Sequence, residues 1–250
     1  MLRSLYQRCA PASVRDLARP GETIYRNAQY LAATVSIDPY RMQPWLPRGV
    51  RLAEPARADL FCAYFPENSF GSVYREVGLF VHVQVGKKVG IHCPWMIVDD
   101  DVALILGREV CGYPKKIGQI EWRHDGDEIV ANGTRQGATL VEMHASLGDV
   151  VPFPPPILGR PHRNAVGLLG LSMPRLVAFT PNEINVETRV AQLELKLGGT
   201  ERDPIHAMGI GAVLEARLHR IDIVGGYMPP IPVRPLNPLY LLRGIRPRIL

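Results

Sequence analysis

Two adjacent lysines, Lys115 and Lys116, stand near the end of the run Gly107-Arg108-Glu109-Val110-Cys111-Gly112-Tyr113-Pro114-Lys115-Lys116-Ile117-Gly118. A primary amine attacks a ketone only when uncharged, and an ordinary lysine, with a pKa near ~10.4, is almost wholly protonated at pH 7. Burial or a neighbouring cation makes such a lysine a nucleophile by weakening its hold on the proton. Gly112 and Pro114 fix the backbone just ahead of the pair and rule out an uninterrupted helix. If residues 113–119 are extended, Cys111, Tyr113 and Lys115 share one face and Lys116 takes the other, so desolvation is the main influence on Lys115. A kink at Pro114 would instead bring both amines together. The first arrangement is the preferred reading, with Cys111 and Tyr113 as pocket residues and Tyr227 as a further candidate.

The elements that must hold these groups are mostly strands. Residues 74–85 alternate: Val77, Leu79, Val81, Val83 and Val85 form one apolar face, while Glu76, Gly78, Phe80, His82 and Gln84 form a mixed one. Glu76 therefore points away from the main core, toward water in an open sheet or into a polar cavity in a barrel. Gly86-Lys87-Lys88 reads as a hairpin turn, and centring it on Lys87 sets His82 opposite His92 as an ordinary cross-strand pair rather than half a metal site. Asp99, Asp100 and Asp101 form an N-cap cluster for a short helix that starts near Val102 and delivers the chain into the lysine run. Further strands are expected at 30–37, 58–65, 89–98, 117–123, 128–134, 139–146, 176–179, 187–197 and 212–224. Short helical turns are expected after Asp38-Pro39 and at 204–208. Residues 151–156, with four prolines in six, cannot form a central strand or a helix and read as a rigid connector that could lie over a cavity.

The run ending in Lys115-Lys116 resembles the signature of the acetoacetate decarboxylase family, in which the first lysine forms a Schiff base with a β-keto acid. Tyr74-Arg75-Glu76 is similar to a tyrosine-x-glutamate segment of that family. Arg26-Asn27-Ala28-Gln29-Tyr30-Leu31 resembles its N-terminal strand, and Asp203-Pro204-Ile205-His206 a late segment, so the resemblance covers nearly the whole chain. It implies a mainly β (α+β) fold, an antiparallel meander closing into a barrel-like body with a few short helices. It also implies Lys115 as nucleophile, Glu76 as proton shuttle or partner of the iminium, Lys116 as a secondary catalytic influence, and a homo-oligomer. Two positions depart from the family pattern: Ala28 stands where the family has an arginine, and Phe61 where it has an acid. Arg26 and Arg108 are the candidate replacements for binding a substrate carboxylate. The implied function is a lyase that decarboxylates a β-keto acid such as acetoacetate. The alternatives are an aldolase-dehydratase using the same lysine on pyruvate-like substrates, and a small-molecule binder without catalysis.

Composition agrees with a globular enzyme. At 250 residues with 46% hydrophobic and 21% charged residues, the chain has enough material for one large domain, expected at 21–250 behind an N-terminal arm at 1–20. No run reaches the ~20 apolar residues of a membrane span. The opening residues lack the apolar centre of a secretory signal, so a cytoplasmic location is the default expectation. The net charge of +5 comes from scattered basic residues without a nucleic-acid signature, and it suits an anionic small-molecule substrate. Cys9, Cys62, Cys93 and Cys111 are too dispersed for a disulfide framework or a zinc site. No metal and no cofactor is expected.

Overall fold

The computed structural model describes residues 22–167, 174–225 and 231–237. The expected arm at 1–20 and the candidate Tyr227 lie outside the described residues. The centre is made of β1 (Thr23–Ile37), β3 (Arg57–Phe65), β5 (Tyr74–Val85) and β6 (Lys88–Val98), with the two-residue strands β2 (Arg51–Leu52) and β4 (Glu67–Asn68) attached to β5 and β1. The three-residue strand β7 (Lys115–Ile117) lies beside β6. Next come β8 (Gln119–Asp125), β9 (Glu128–Arg135) and β10 (Ala138–Val150), the expected meander joined by tight turns. β11 (His162–Val166), β12 (Arg175–Phe179), β13 (Asn182–Leu197), β14 (Ile210–Val224) and β15 (Ile231–Pro235) complete the strands. Among the described residues all fifteen belong to one sheet whose path, β15-β12-β11-β6-β5-β3-β1-β14-β13-β10-β9-β8, is open at both ends.

Helices are few and short, as the sequence implies. Asp38 caps α1 (Pro39–Met42) by accepting from the amides of Tyr40 and Arg41. Asp100 caps α2 (Asp101–Glu109) by accepting from the Ala103 amide, which bears out the capping reading of the aspartate cluster. Because β7 runs parallel to β6, β6–α2–β7 is a crossover unit inside a mostly antiparallel sheet.

Alternation along the central strands sorts buried side chains into two apolar layers. Leu31, Ala33 and Val35 of β1, Leu60 and Cys62 of β3, and Val77, Leu79, Val81 and Val83 of β5 build the larger one. Their alternates Ala28, Tyr30, Phe61, Ala63, Phe65, Tyr74 and Phe80 build an aromatic layer on the opposite side. Ile157 and Leu158, directly after the proline-rich connector, join that second layer, and the Glu183 carboxylate anchors its end by accepting from the amides of Ile157, Leu158 and Gly159. The mixed face of β5 is thus sealed through Phe80, and meets neither water nor an open lumen there.

β6 carries one extra residue between the pairs Leu79↔Trp95 and Val81↔His92. Pro94 falls inside that bulge, where a missing amide costs nothing to the ladder. The bulge resets the parity of β6, so Met96 and Val98 join the aromatic layer while Trp95 and Ile97 join the larger core. The expected pairing of His82 with His92 is corrected here. The turn consists of Gly86 and Lys87, with Val85 opposite Lys88, so His82 faces Ile91 and the two imidazoles lie on opposite sides. His82 Nε2 lies 2.8 Å from Asp59 Oδ2, whereas His92 Nδ1 lies 2.7 Å from the Arg163 carbonyl.

Candidate active site

Register decides where the two lysines go. In the parallel pairing of β6 with β7, Met96 stands beside Lys115 and Ile97 beside Lys116. Lys115 therefore enters the aromatic layer and Lys116 the larger core, as an extended lysine segment requires. Glu76 of β5 is paired with Val98 on the other side of β6. Two strand spacings, about 9.5 Å, separate β5 from β7, and the lysine arm crosses that gap over β6. Lys115 Nζ ends 2.7 Å from Glu76 Oε2.

Both partners are hidden from solvent, Lys115 at 4% exposure and Glu76 at 5%. Nζ lies 5.5 Å from the centre of the Tyr74 ring and 5.7 Å from that of Tyr113, so π-faces flank the cation. Tyr25, Phe65, Phe70 and Tyr74 stack or meet edge-on nearby, at centroid separations from 4.3 to 6.4 Å. Burial pushes the Tyr25, Tyr30 and Tyr74 hydroxyls up, so all three stay protonated at neutral pH. Ala28 and Phe61 are fully buried in this layer.

The backbone around the motif is closed on itself. Tyr113 N–H donates to the Gly107 carbonyl at 3.0 Å, and the Arg108 guanidinium donates to the Lys115 carbonyl at 2.9 Å. Gly112 has φ +69°, and a Cβ there would come within 2.7 Å of the Ala165 carbonyl oxygen, so only glycine makes that turn against β11. Arg26, the other candidate for the substrate carboxylate, forms an exposed ion pair with Glu67 at 3.2 Å. Cys111 is half-buried, and its carbonyl accepts from the Asn164 side chain.

Lys116 is equally buried but differently satisfied. It pairs with Asp203 and donates to the Arg202 carbonyl at 2.7 Å. Asp203 also accepts from Trp95 Nε1 at 3.1 Å and from Arg135 at 2.8 Å. Burial alone would raise the Asp203 carboxyl, but these donors outweigh it and hold it below the usual carboxylate range. The structure thus brings Lys115, Glu76 and Tyr113 together and keeps Lys116 out of that group. Among the described residues, no cluster of three or more His, Cys, Asp or Glu side chains could hold a metal.

One residue at the site went unread in the sequence. His162, on β11, is fully buried and stacks on Phe179 with ring centres 4.6 Å apart. Burial depresses its imidazole to about 3, so it is neutral at physiological pH. Its Nε2–H points to the Leu158 carbonyl at 3.2 Å, which leaves Nδ1 to accept from the Tyr113 hydroxyl at 3.1 Å. The sole sequence signal was a short His-Arg-Asn-Ala-Val segment between Pro161 and Gly167, too brief to show periodicity.

A profile of the acetoacetate decarboxylase (ADC) family matches residues 10–229. The chain belongs to that family. Among curated relatives, acetoacetate decarboxylase 1 of Mesorhizobium japonicum is 28% identical over 139 residues, 50% of this chain and 56% of that protein. The acetoacetate decarboxylase of Chromobacterium violaceum is 30% identical over 113 residues, 45% of this chain and 46% of that protein. The chain therefore spans about half the length of these relatives. Among solved structures, acetoacetate decarboxylase from Legionella pneumophila superposes with a TM-score of 0.75 at 16% identity, covering 87% of this chain and 88% of that one. The enduracididine biosynthesis enzyme MppR complexed with pyruvate gives 0.68 at 17% identity, covering 84% and 91%. At such identities the likeness shows the fold.

Proposed function

We propose that this protein is a Schiff-base lyase that decarboxylates a β-keto acid at Lys115. The observation that carries the reading is the buried Lys115 Nζ set 2.7 Å from Glu76 Oε2. Attack requires a neutral amine, and the Glu76 carboxylate, in ion-pair contact with Nζ, takes the ammonium proton in this reading. Nζ then adds to the ketone carbon, and the carbinolamine oxygen leaves as water after receiving a proton, which gives an iminium. The bond to the carboxylate breaks, its electron pair moves toward the iminium nitrogen, and carbon dioxide departs to leave an enamine. Protonation at carbon and hydrolysis return the amine and release a ketone. Glu76, 2.7 Å away, pairs with the cation while it exists. The Tyr74 and Tyr113 rings flank it.

A second reading uses the same iminium for aldol condensation and dehydration of pyruvate-like substrates. Ala28, buried in the aromatic layer where the family has an arginine, favours it: no cation there orients the carboxylate that decarboxylation must expel, whereas the aldol reaction keeps that group. The solved fold neighbours include MppR with the condensation product of pyruvate and imidazole 4-carboxaldehyde.

One experiment separates these readings. Incubation with acetoacetate, or with pyruvate plus an aldehyde, followed by borohydride should add substrate mass at Lys115. Release of carbon dioxide from acetoacetate is the expected result. An acetoacetate adduct without released carbon dioxide would transfer the assignment to the aldolase, and no adduct with any keto acid would leave only a binding protein.

A further inference from the structure

The lysine arm does not cross β6 unaided, because the last turn of α2 lies directly on it. A Cβ built on Gly107 would stand 2.7 Å from both Cδ and Cε of Lys115 and 3.0 Å from Nζ. Carbon atoms in contact prefer about 3.5–4.0 Å, so the helix approaches the arm more closely than any side chain at 107 would permit. Gly107 has no special backbone angle to explain its presence, unlike Gly112 at φ +69°. Within a helix interior glycine is less favourable than every ordinary residue except proline. Among the described residues, the three atoms nearest to such a Cβ all belong to the Lys115 side chain.

We infer that Gly107 is a positioning residue for the amine: its bare Cα presses the Lys115 arm across β6 and fixes Nζ against Glu76. This role rests on the reading of Lys115 as the nucleophile. A methyl group at 107 displaces the arm rather than the helix, because the helix is tied at both ends of its last turn. Val110 N–H donates to the Leu106 carbonyl at 3.0 Å, and Gly107's own carbonyl accepts from Tyr113. The arm, by contrast, has four rotatable bonds. A displacement near 1 Å at a reacting atom is worth on the order of 100-fold in rate.

The test compares Gly107→Ala with a control on the same helix, Ile105→Gly, whose side chain is 55% exposed and outside the site. Rates of borohydride-trapped adduct formation with acetoacetate and with pyruvate are read alongside thermal transitions. Gly107→Ala should trap on the order of 100-fold more slowly while still unfolding cooperatively. Ile105→Gly should lower the transition temperature and trap at the wild-type rate.

The same alanine is then placed in a Lys115→Ala background, where no arm remains to overlap. There it should leave the transition temperature unchanged or raise it, even if Gly107→Ala alone fails to fold. Wild-type trapping by Gly107→Ala, or an equal loss of transition temperature in both backgrounds, would overturn the proposal. A wild-type protein that forms no adduct at all would instead end the Schiff-base reading. The two-background melts would then still report whether the contact exists.

Discussion

Lys115 and Lys116 are neighbours in the chain and almost equally hidden, at 4% and 3% exposure, yet the two sides of β7 use them in opposite ways. On one side Asp203 meets Lys116, Arg135 and Trp95, and Lys116 has a second acceptor in the Arg202 carbonyl. Every charge there is answered more than once. On the other side Glu76 meets a single ionic partner among the described residues, Lys115 Nζ, in a layer of aromatic rings. Burial lowers the pKa of Lys116 against the pull of Asp203, but its nitrogen is shared between two acceptors, whereas Lys115 Nζ and Glu76 form an isolated pair among the ionic contacts of the described residues. The comparison teaches that two equally buried lysines can differ in how fully their partners are occupied, and the proposed nucleophile is the one whose partner is the less occupied.

The contrast can be broken first at Glu76. Glu76→Gln keeps the shape of the side chain but cannot accept the amine's proton, and turnover of the protein that folds should fall on the order of 10²–10⁴-fold. A loss below about tenfold would put the two sides on an equal footing. Asp203→Asn should do the reverse, costing about 3–5 kcal/mol in a denaturant melt by leaving Lys116 and Arg135 without their counter-charge. Protein of that variant that does fold should still trap a keto acid at Lys115.

Acidification sharpens the contrast further. Burial depresses His162 to about 3 and His219 to about 4. Between these values and about 6.5 the unfolded chain binds protons that the native state refuses, so stability falls as pH is lowered through that window. Above it the contribution is flat. At pH 5 the loss should be about 2 kcal/mol for each histidine, and His162→Gln should remove its share of the slope. The smallest effect belongs to Tyr113→Phe, which deletes the hydroxyl held by His162 and should cost about 1 kcal/mol. If that variant also changed turnover strongly, the hydroxyl and not only the ring would belong to the chemistry.

Much of this arrangement was legible in the chain itself. The bounds of β5 follow from its alternation, the cap of α2 from Asp100, and the opposed lysines from the extended reading of residues 113–119. The lysine motif singled out Lys115 and the family likeness Glu76, the two side chains that the fold sets 2.7 Å apart. What escaped depends on contacts that no local pattern announces. The Asp203 network joins residues 68 to 108 positions apart. The role of His162 depends on how β11 is placed beside β6, through a parallel pairing at Ile91. His82 misses His92 because the two-residue turn at Gly86 and Lys87 sets the register, and a shift of one residue turns a side chain to the other side. The pocket around Lys115 was expected to be apolar; it is aromatic, with a carboxylate at the nitrogen.

The crossover β6–α2–β7 has a consequence for how such proteins diversify. Lys115, Glu76 and the two flanking tyrosines, Tyr74 and Tyr113, all fall within residues 74–117, one uninterrupted piece of polypeptide. The walls around them, Ala28 and Tyr30 of β1, Phe61 of β3 and Leu158 just after the proline-rich connector, come from far away in the gene. Drift in those distant segments can repack the aromatic layer around Lys115 while the segment that carries Lys115 and Glu76 is inherited whole.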